Sequence, residues 1–388
     1  MWPIRRQRWG WIVLFWGVLL VSLQGQSVSF SGYGVVLPFA MRYQTLPVQS
    51  FIVLPQENRA LLLRLRVRPE WDISDALFVR LEYEADYLYY QHPFYDYTPG
   101  ITVSTRQYFN WQRTFVDAHN RLGRHFIDRL FVAWEWDNGR MVVGRQRISW
   151  GTGRVWNPTD LFNPLSPTAF DRVEKDGADA VNMQWYLGDF SDVQFVWNPT
   201  RAVPEGNGAV HLRSKIGTYD VSVLTGRFDR RWVVGGDVTG NIGNAAIRGE
   251  WLYDFGNAEK ASFVKYIVGA DNQFTPRLYA LVEYHFNGEG KQHPREYEFD
   301  RLFRGEILNV GRQYIFVMGQ YQVWALVNVN LAWSQNLEDH SGYWYPSLDM
   351  NAGDNLAVTV GYQHFYGDFF TEYGYFPRIA FLRVQYYF

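Results

Sequence analysis

Apolar and polar residues alternate along most of the chain with a period of two, in segments of about ten residues. In RALLLRLRVRPEW, Leu63, Leu65 and Val67 share one face while Arg64, Arg66 and Arg68 share the other. In LFVRLEYEADYLYY, Leu77, Val79, Leu81, Tyr83, Ala85 and Tyr87 oppose Arg80, Glu82, Glu84 and Asp86. DRLFVAWEWDNGRMVVGRQR reads as a hairpin turning at Asn138-Gly139, a dipeptide suited to a primed turn. VWALVNVNLAWS and NLAVTVGYQHF repeat the pattern. A period of two and an abundance of Val, Tyr, Trp and Phe exclude helices.

A soluble sandwich would bury the apolar face and scatter single charges outside. Here whole faces carry three or four successive charges, which suits a transmembrane barrel with lipid outside and a polar lumen within. Closure is then obligatory, because an open edge in lipid leaves backbone groups unpaired. The predicted fold is an all-β, antiparallel up-and-down barrel. Its eighteen strands lie near 28–42, 58–68, 76–90, 126–137, 139–149, 178–187, 191–198, 208–217, 218–227, 230–239, 243–254, 259–270, 277–287, 311–319, 322–333, 343–352, 355–366 and 377–388. Sixteen strands is the alternative, since 343–352 is weakly patterned. With both termini periplasmic, every second connection is short (PEWDISD, DNG, GDFS, TGNIG, MGQY, AGDN). The long connections, 91–125, 149–177, 288–310 and 367–376, all fall on the outer side, as an outer-membrane barrel requires.

Composition and the termini agree. Among 388 residues 18% are aromatic, 20% are charged and none is cysteine. Arg5, Arg6 and Arg8 precede the apolar run Trp11 to Leu23, with Gly25 as a cleavage position, so residues 1–25 read as a signal peptide and 26–388 as the barrel. An uncleaved anchor would need about 20 apolar residues. Removing the leader takes the formal charge from -2 to -5, which excludes nucleic acid as a partner. IAFLRVQYYF ends in Phe388, with Tyr386, Val384, Leu382 and Ala380 alternating behind it. That ending resembles the terminal signal of bacterial outer-membrane proteins, in which the last aromatic residues, here Tyr386 and Phe388, are read by the barrel-assembly machinery. The implied partners are that machinery, outer-membrane lipid and lipopolysaccharide.

The chain offers little chemistry for an enzyme. Its eight histidines include no HExxH spacing, and no GxSxG elbow precedes a helix. GTGR lacks the Gly-Lys-Ser ending of a phosphate loop. Asp339-His340 reads as a solvated turn, the alternative being a protease-like pair on the outer surface. Glu296, Glu298 and Asp300 alternate in REYEFDR and form a weak calcium candidate. No other metal and no cofactor is expected.

The pore-lining and selectivity candidates are therefore Arg64, Arg66, Arg68, Arg80, Glu82, Glu84, Asp86, Arg145 and Arg147, with Gln146 placed on the lipid side by alternation. Opposed basic and acidic rows would set up a transverse field favouring small polar solutes; interstrand salt bridges are the structural alternative. The stretch from Ser149 to Gly177 is the third outer loop. Folded inward, it would offer Arg154, Asp160, Asp171, Arg172, Glu174, Lys175 and Asp176 as a constriction; the alternative is a loop exposed outside. Aromatic outer segments such as YYQHPFYDYTPG and SGYWYP suit an interfacial girdle, or stacking platforms for sugars.

GRQRISWG (Gly144 to Gly151) followed by NPTD (Asn157 to Asp160) resembles the corresponding stretch in porin-like barrels of the alginate-export type. The resemblance implies an eighteen-stranded passive channel with an arginine-containing pore. This chain departs from it in the many inward acids, Glu82, Glu84, Asp86, Glu135, Glu250 and Glu283, which argue against a purely anionic polymer as cargo. The expected function is an outer-membrane porin for small hydrophilic solutes, sugars or organic anions among them. The alternatives are an enzyme or adhesin acting through the outer loops, and a channel for hydrophobic substrates.

Overall fold

A computed structural model describes residues 27–43, 56–92, 105–163, 168–171, 174–201, 203–303 and 306–388. The leader and Arg172 lie outside the described residues. Among the described residues nineteen strands form: β1 Ser27–Arg42, β2 Glu57–Ser74, β3 Leu77–Tyr90, β4 Gln112–Ala118, β5 Arg121–Trp136, β6 Gly139–Gln146, β7 Ala178–Tyr186, β8 Asp192–Asn198, β9 Asn207–Ile216, β10 Tyr219–Phe228, β11 Arg231–Ile242, β12 Ala245–Asp254, β13 Phe263–Thr275, β14 Leu278–Asn287, β15 Gln313–Trp324, β16 Val327–Asn336, β17 Gly342–Asn351, β18 Leu356–Tyr366 and β19 Arg378–Tyr387. Each pairs antiparallel with its neighbours, and β19 returns to β1, so eighteen strands close a barrel. All eighteen were legible in the alternation, including the weakly patterned β17.

The extra strand is β4. It pairs with Arg121–Phe126 of β5, above the stretch Leu130–Trp136 that pairs with β6. It thus fills the wall where β6 ends early. The expected turn at Met318–Tyr321 also moves: the ladder continues through Met318↔Ala332 and Gln320↔Asn330, and the chain reverses at Ala325-Leu326. Nothing at Gly319 forces a reversal, because its inter-strand pairing with Leu331 is intact.

Outward positions are apolar and exposed, among them Leu63, Leu65, Trp134, Val143, Trp251, Val268, Val282 and Val360. Such a surface is stable only against hydrocarbon. At the short-turn end Trp134 and Trp136 lie 5.0 Å apart and Trp136 and Trp185 6.1 Å apart, in the manner of an interfacial belt.

Closure depends on the last residue. Gly32 N donates to Phe388 O (2.9 Å), Phe388 N donates to Gly32 O (3.1 Å), and the Phe30 and Phe388 rings stack at 5.9 Å. A Cβ on Gly32 would stand 2.4 Å from Arg66 O and 2.6 Å from the Phe388 ring, so only glycine fits that seam.

Candidate functional site

The inner wall carries its charges on β2, β3 and β5. Register places Arg64 opposite Asp86 and Arg66 opposite Glu84, and Asp86 opposite Arg124 and Glu82 opposite Arg129. These cross-strand neighbours form ion pairs: Arg64 Nε to Asp86 (2.8 Å), Arg66 to Glu82 and Glu84 (2.7 Å each), Arg124 to Asp86 (3.1 Å) and Arg129 to Glu82 (3.0 Å). A β-bulge in β5 skips Asp128 in the pairing with β3. The extra residue turns inward, where Asp128 pairs with Arg66 and accepts from Gly177 N at 3.1 Å.

This network differs from the expected rows of charge facing water. Arg64, Arg66, Glu82, Glu84 and Asp86 are buried, because each finds an opposite charge across the strand and Asp171 and Glu174 meet the arginines from the loop. Arg68 bridges Glu82 (3.4 Å) and Glu174, and only Arg80, paired with Glu70 nearer the short-turn end, is substantially exposed.

The stretch 147–177 accounts for the covering. Its first lobe lies against the β7–β14 side. Thr152 N and Gly153 N donate to Glu250 of β12 (3.0 and 3.2 Å), as do Thr159 N and Oγ1 (2.6 and 2.8 Å). Arg154 N, Val155 N and Trp156 N donate to Glu283 of β14 (2.8, 3.1 and 2.8 Å). Successive N–H groups curled round a carboxylate make an anion nest. Gly151, at φ +90°, permits the approach: a Cβ there would sit 2.5 Å from the Glu250 carboxylate. Aromatic contacts fix the same lobe, with Trp150 stacked on His211 (4.9 Å), Trp156 on His285 (5.3 Å) and Phe162 edge-on to Phe228 (4.9 Å).

The second lobe lies against the other side of the wall. Thr168 O accepts from Gln363 of β18 (3.4 Å), Phe170 O from Arg383 of β19 (3.0 Å) and Asp171 O from Arg64 (2.7 Å). The Phe170 ring meets Phe39 and Phe381, each at 5.4 Å. Glu174 pairs with Arg66 (3.2 Å), Arg68 and Arg129 (3.6 Å). Lys175 ties the lobes by pairing with Asp160, which also accepts from Asn163 N (3.1 Å) and the Ser149 hydroxyl (3.3 Å). Burial holds the Asp160 carboxyl above the usual carboxylate range despite the lysine. Asp176 contributes its backbone, its carbonyl accepting from Asn163.

Arg145 and Gln146 depart from their expected places. The ladder runs unbroken through Gly144, so with Val143 facing lipid Gln146 falls on the inner face and Arg145 on the outer one, and both side chains are buried. Arg145 is 1% exposed, pairs with Asp179 (2.8 Å), donates to Ile127 O (2.9 Å) and stacks on Trp111 at 4.4 Å. It is covered by Phe109 and Trp111 and cut off from solvent. Gln146 bonds Val142 O and Ala180 O inside the wall instead of facing lipid. Arg147 and Arg154 have exposed side chains.

Two further expectations change. Glu296, Glu298 and Asp300 do not form a row: the chain coils through a 3-10 turn at Pro294–Glu296 and a one-turn helix at Phe299–Phe303, so alternate residues diverge and Glu298 is taken up by Arg301 (2.5 Å). Among the described residues the acids that do converge are Glu82, Asp128 and Glu174, and three arginines already neutralise them. Asp339 accepts from Ser341 and from Glu372 N (2.8 Å each to the backbone), shaping a turn in which His340 has φ +60°. Glu250 and Glu283 were placed inside by alternation, yet nothing in the local sequence showed that they would receive the third loop.

No family model and no curated protein matches the chain. Solved structures similar in fold include two engineered variants of the Rhodopseudomonas blastica porin, each at 10% identity over 93% of this chain and 100% of that chain, with TM-scores of 0.48 and 0.46. Another, described as asymmetric conductivity of engineered proteins, has 9% identity over the same shares and a TM-score of 0.47. Likeness at that level carries no functional argument, which rests on the wall and the loop.

Proposed function

We propose that the protein is a bacterial outer-membrane channel for passive diffusion of small hydrophilic solutes, in which the third outer loop narrows the lumen. The observation that carries the reading is a closed barrel, apolar outside and polar within, with residues 152–159 of one loop hydrogen-bonded to β12 and β14 and residues 168–171 to β18, β19 and β2. A sealed structural barrel would gain nothing from a lumen that keeps exposed arginines on its loop. On this reading residues 1–25 direct export, Tyr386 and Phe388 present the assembly signal, and the pinned carboxylates are committed to architecture instead of catalysis. Ion selectivity belongs to the exposed Arg147 and Arg154; the buried pairs around Arg64, Arg66 and Arg145 are already neutral.

Planar-bilayer recording tests this. Purified protein should give ohmic current that scales with salt, and an absence of such current would end the channel reading. Charge reversal at Arg147 and Arg154 together should move the reversal potential toward cations, whereas Arg145→Gln should leave it in place. An equal shift from both variants would show that burial does not decide selectivity.

A further inference from the structure

The outer surface of the barrel is dented where β16 to β19 meet β1 and β2. A groove of about 840 Å3 is lined chiefly by apolar groups, including Pro38, Ala40, Pro346, Tyr362, Ala380 and Leu382. Two prolines explain the concavity. The β1–β19 ladder pairs Val36↔Val384 and then Phe39↔Phe381, skipping Leu37 and Pro38. The β17–β18 ladder pairs Trp344↔His364 and then Ser347↔Gly361, skipping Tyr345 and Pro346. Proline donates no N–H, so both seams are locally slack, and the small side chains of Ala40 and Ala380 leave the space between them open.

At the long-loop end of the groove the surface turns basic. Arg42 of β1 lies directly opposite Arg378 of β19, and Arg59 of β2 lies opposite Ala40 and lines the groove. Like charges facing one another across a ladder are destabilising unless an anion joins them. Among the described residues none of the three forms an ion pair. Glu57, the acid facing Arg42 from β2, does not engage it, and Arg378 Nε is buried without a hydrogen-bond partner. Exposed hydrocarbon-lined space below three uncompensated guanidinium groups fits an amphiphile whose head is phosphorylated, since arginine binds phosphate oxygens bidentately.

We propose that this face is a specific site for an outer-leaflet lipid bearing phosphate on its headgroup, with an acyl chain in the groove and the phosphate held by Arg42, Arg59 and Arg378. The site rests on the barrel spanning a membrane and is independent of conduction. Native mass spectrometry of the detergent-released barrel with diphosphoryl lipid A as probe tests it. The wild type should retain the lipid at least tenfold more tightly than the triple variant Arg42→Gln/Arg59→Gln/Arg378→Gln, and more tightly than it retains zwitterionic phosphatidylcholine. Ala380→Phe, which fills the groove from the lipid side, should weaken lipid A to a similar degree while the barrel stays folded by circular dichroism. Inorganic phosphate should not compete. Equal retention by wild type and triple variant, or competition by free phosphate, would overturn the proposal. Unchanged conductance in all these variants is expected, so failure here and failure of the channel reading are separate results.

Discussion

The exchange Glu283→Gln isolates the force that holds the third loop in the lumen. Glu283 accepts three consecutive backbone N–H groups, two on Oε1 (Val155, 3.1 Å; Trp156, 2.8 Å) and one on Oε2 (Arg154, 2.8 Å). If the amide oxygen takes the place of Oε1, two bonds pass from charge-assisted to neutral, at about 1 kcal/mol each. The Arg154 N–H then faces an NH2 donor and loses its acceptor, at about 1–3 kcal/mol. Burying a neutral amide in place of a carboxylate returns part of this, which leaves about 3 kcal/mol against the docked loop. At 1.4 kcal/mol per decade the ratio of docked to undocked loop falls roughly 100-fold. Amide exchange at residues 154–156, read by mass spectrometry in detergent, should accelerate by that order, while the β12–β14 ladder keeps its protection. Single-channel records should show added open-level noise. Wild-type protection at residues 154–156 in the variant would refute the pinning argument outright, since among the described residues no other acceptor serves these three N–H groups.

Other outcomes follow from the same geometry. Arg66→Met leaves Glu82, Glu84, Asp128 and Glu174 without their shared cation and should cost about 3–5 kcal/mol, seen as a lower unfolding temperature in heat-modifiability gels; an unchanged temperature would mean the network is not held by Arg66. Gly32→Val should block closure of the β1–β19 seam and accumulate unassembled chain, and a normal yield of folded barrel would show that Phe388 can be displaced without harm. In the last outer loop burial lifts the Glu372 carboxyl to about 7, where it accepts from the Tyr314 hydroxyl (2.7 Å) and Asn336 (2.9 Å). The folded state then holds a proton that the unfolded state releases near 4.5, so this contribution is full below pH 4.5 and lost as pH rises to about 7. Exchange at Val310 N, corrected for intrinsic rate, should be less protected at pH 8 than at pH 5, and Glu372→Gln should flatten the difference; a slope of the opposite sign would contradict it.

The barrel was legible because its signal is local. Period-two alternation reports which face meets lipid, and lipid disfavours polar side chains along the span, so all eighteen strands stand in the sequence. Where a distant segment covers a strand, or a residue is inserted into it, sequence reading fails in a definite way. Val143 faces lipid, so the phase of β6 puts Gln146 inside and Arg145 outside, where Phe109 and Trp111 hide it. Nothing in GRQR shows that a segment some 35 residues earlier covers its first arginine. The bulge at Asp128 is equally silent, since inserting one residue leaves a pattern that still alternates on either side. β4 was missed because seven residues, QRTFVDA, carry no clean alternation and gain their place only from the gap above β6.

The charged rows show the deeper limit. Alternation places Arg64, Arg66 and Arg68 inside and Glu82, Glu84 and Asp86 inside, but the field they exert depends on register between strands, which lies beyond any single segment. With Arg66 opposite Glu84 the rows cancel; a slip of two residues would set arginine against other partners and leave the ends of each row bare. Six acids (Glu82, Glu84, Asp86, Asp128, Asp171, Glu174) meet five arginines (Arg64, Arg66, Arg68, Arg124, Arg129) in one connected network. Such a network is nearly neutral as a body, so a permeating ion feels little of it, and two of its acids, Asp171 and Glu174, come from the loop. The loop therefore completes the wall's charge balance. Removing Glu174 by exchange to Gln should unmask positive charge on Arg68 and Arg129, moving the reversal potential toward anions without any arginine being added. A shift toward cations would show that Glu174 is not what neutralises them.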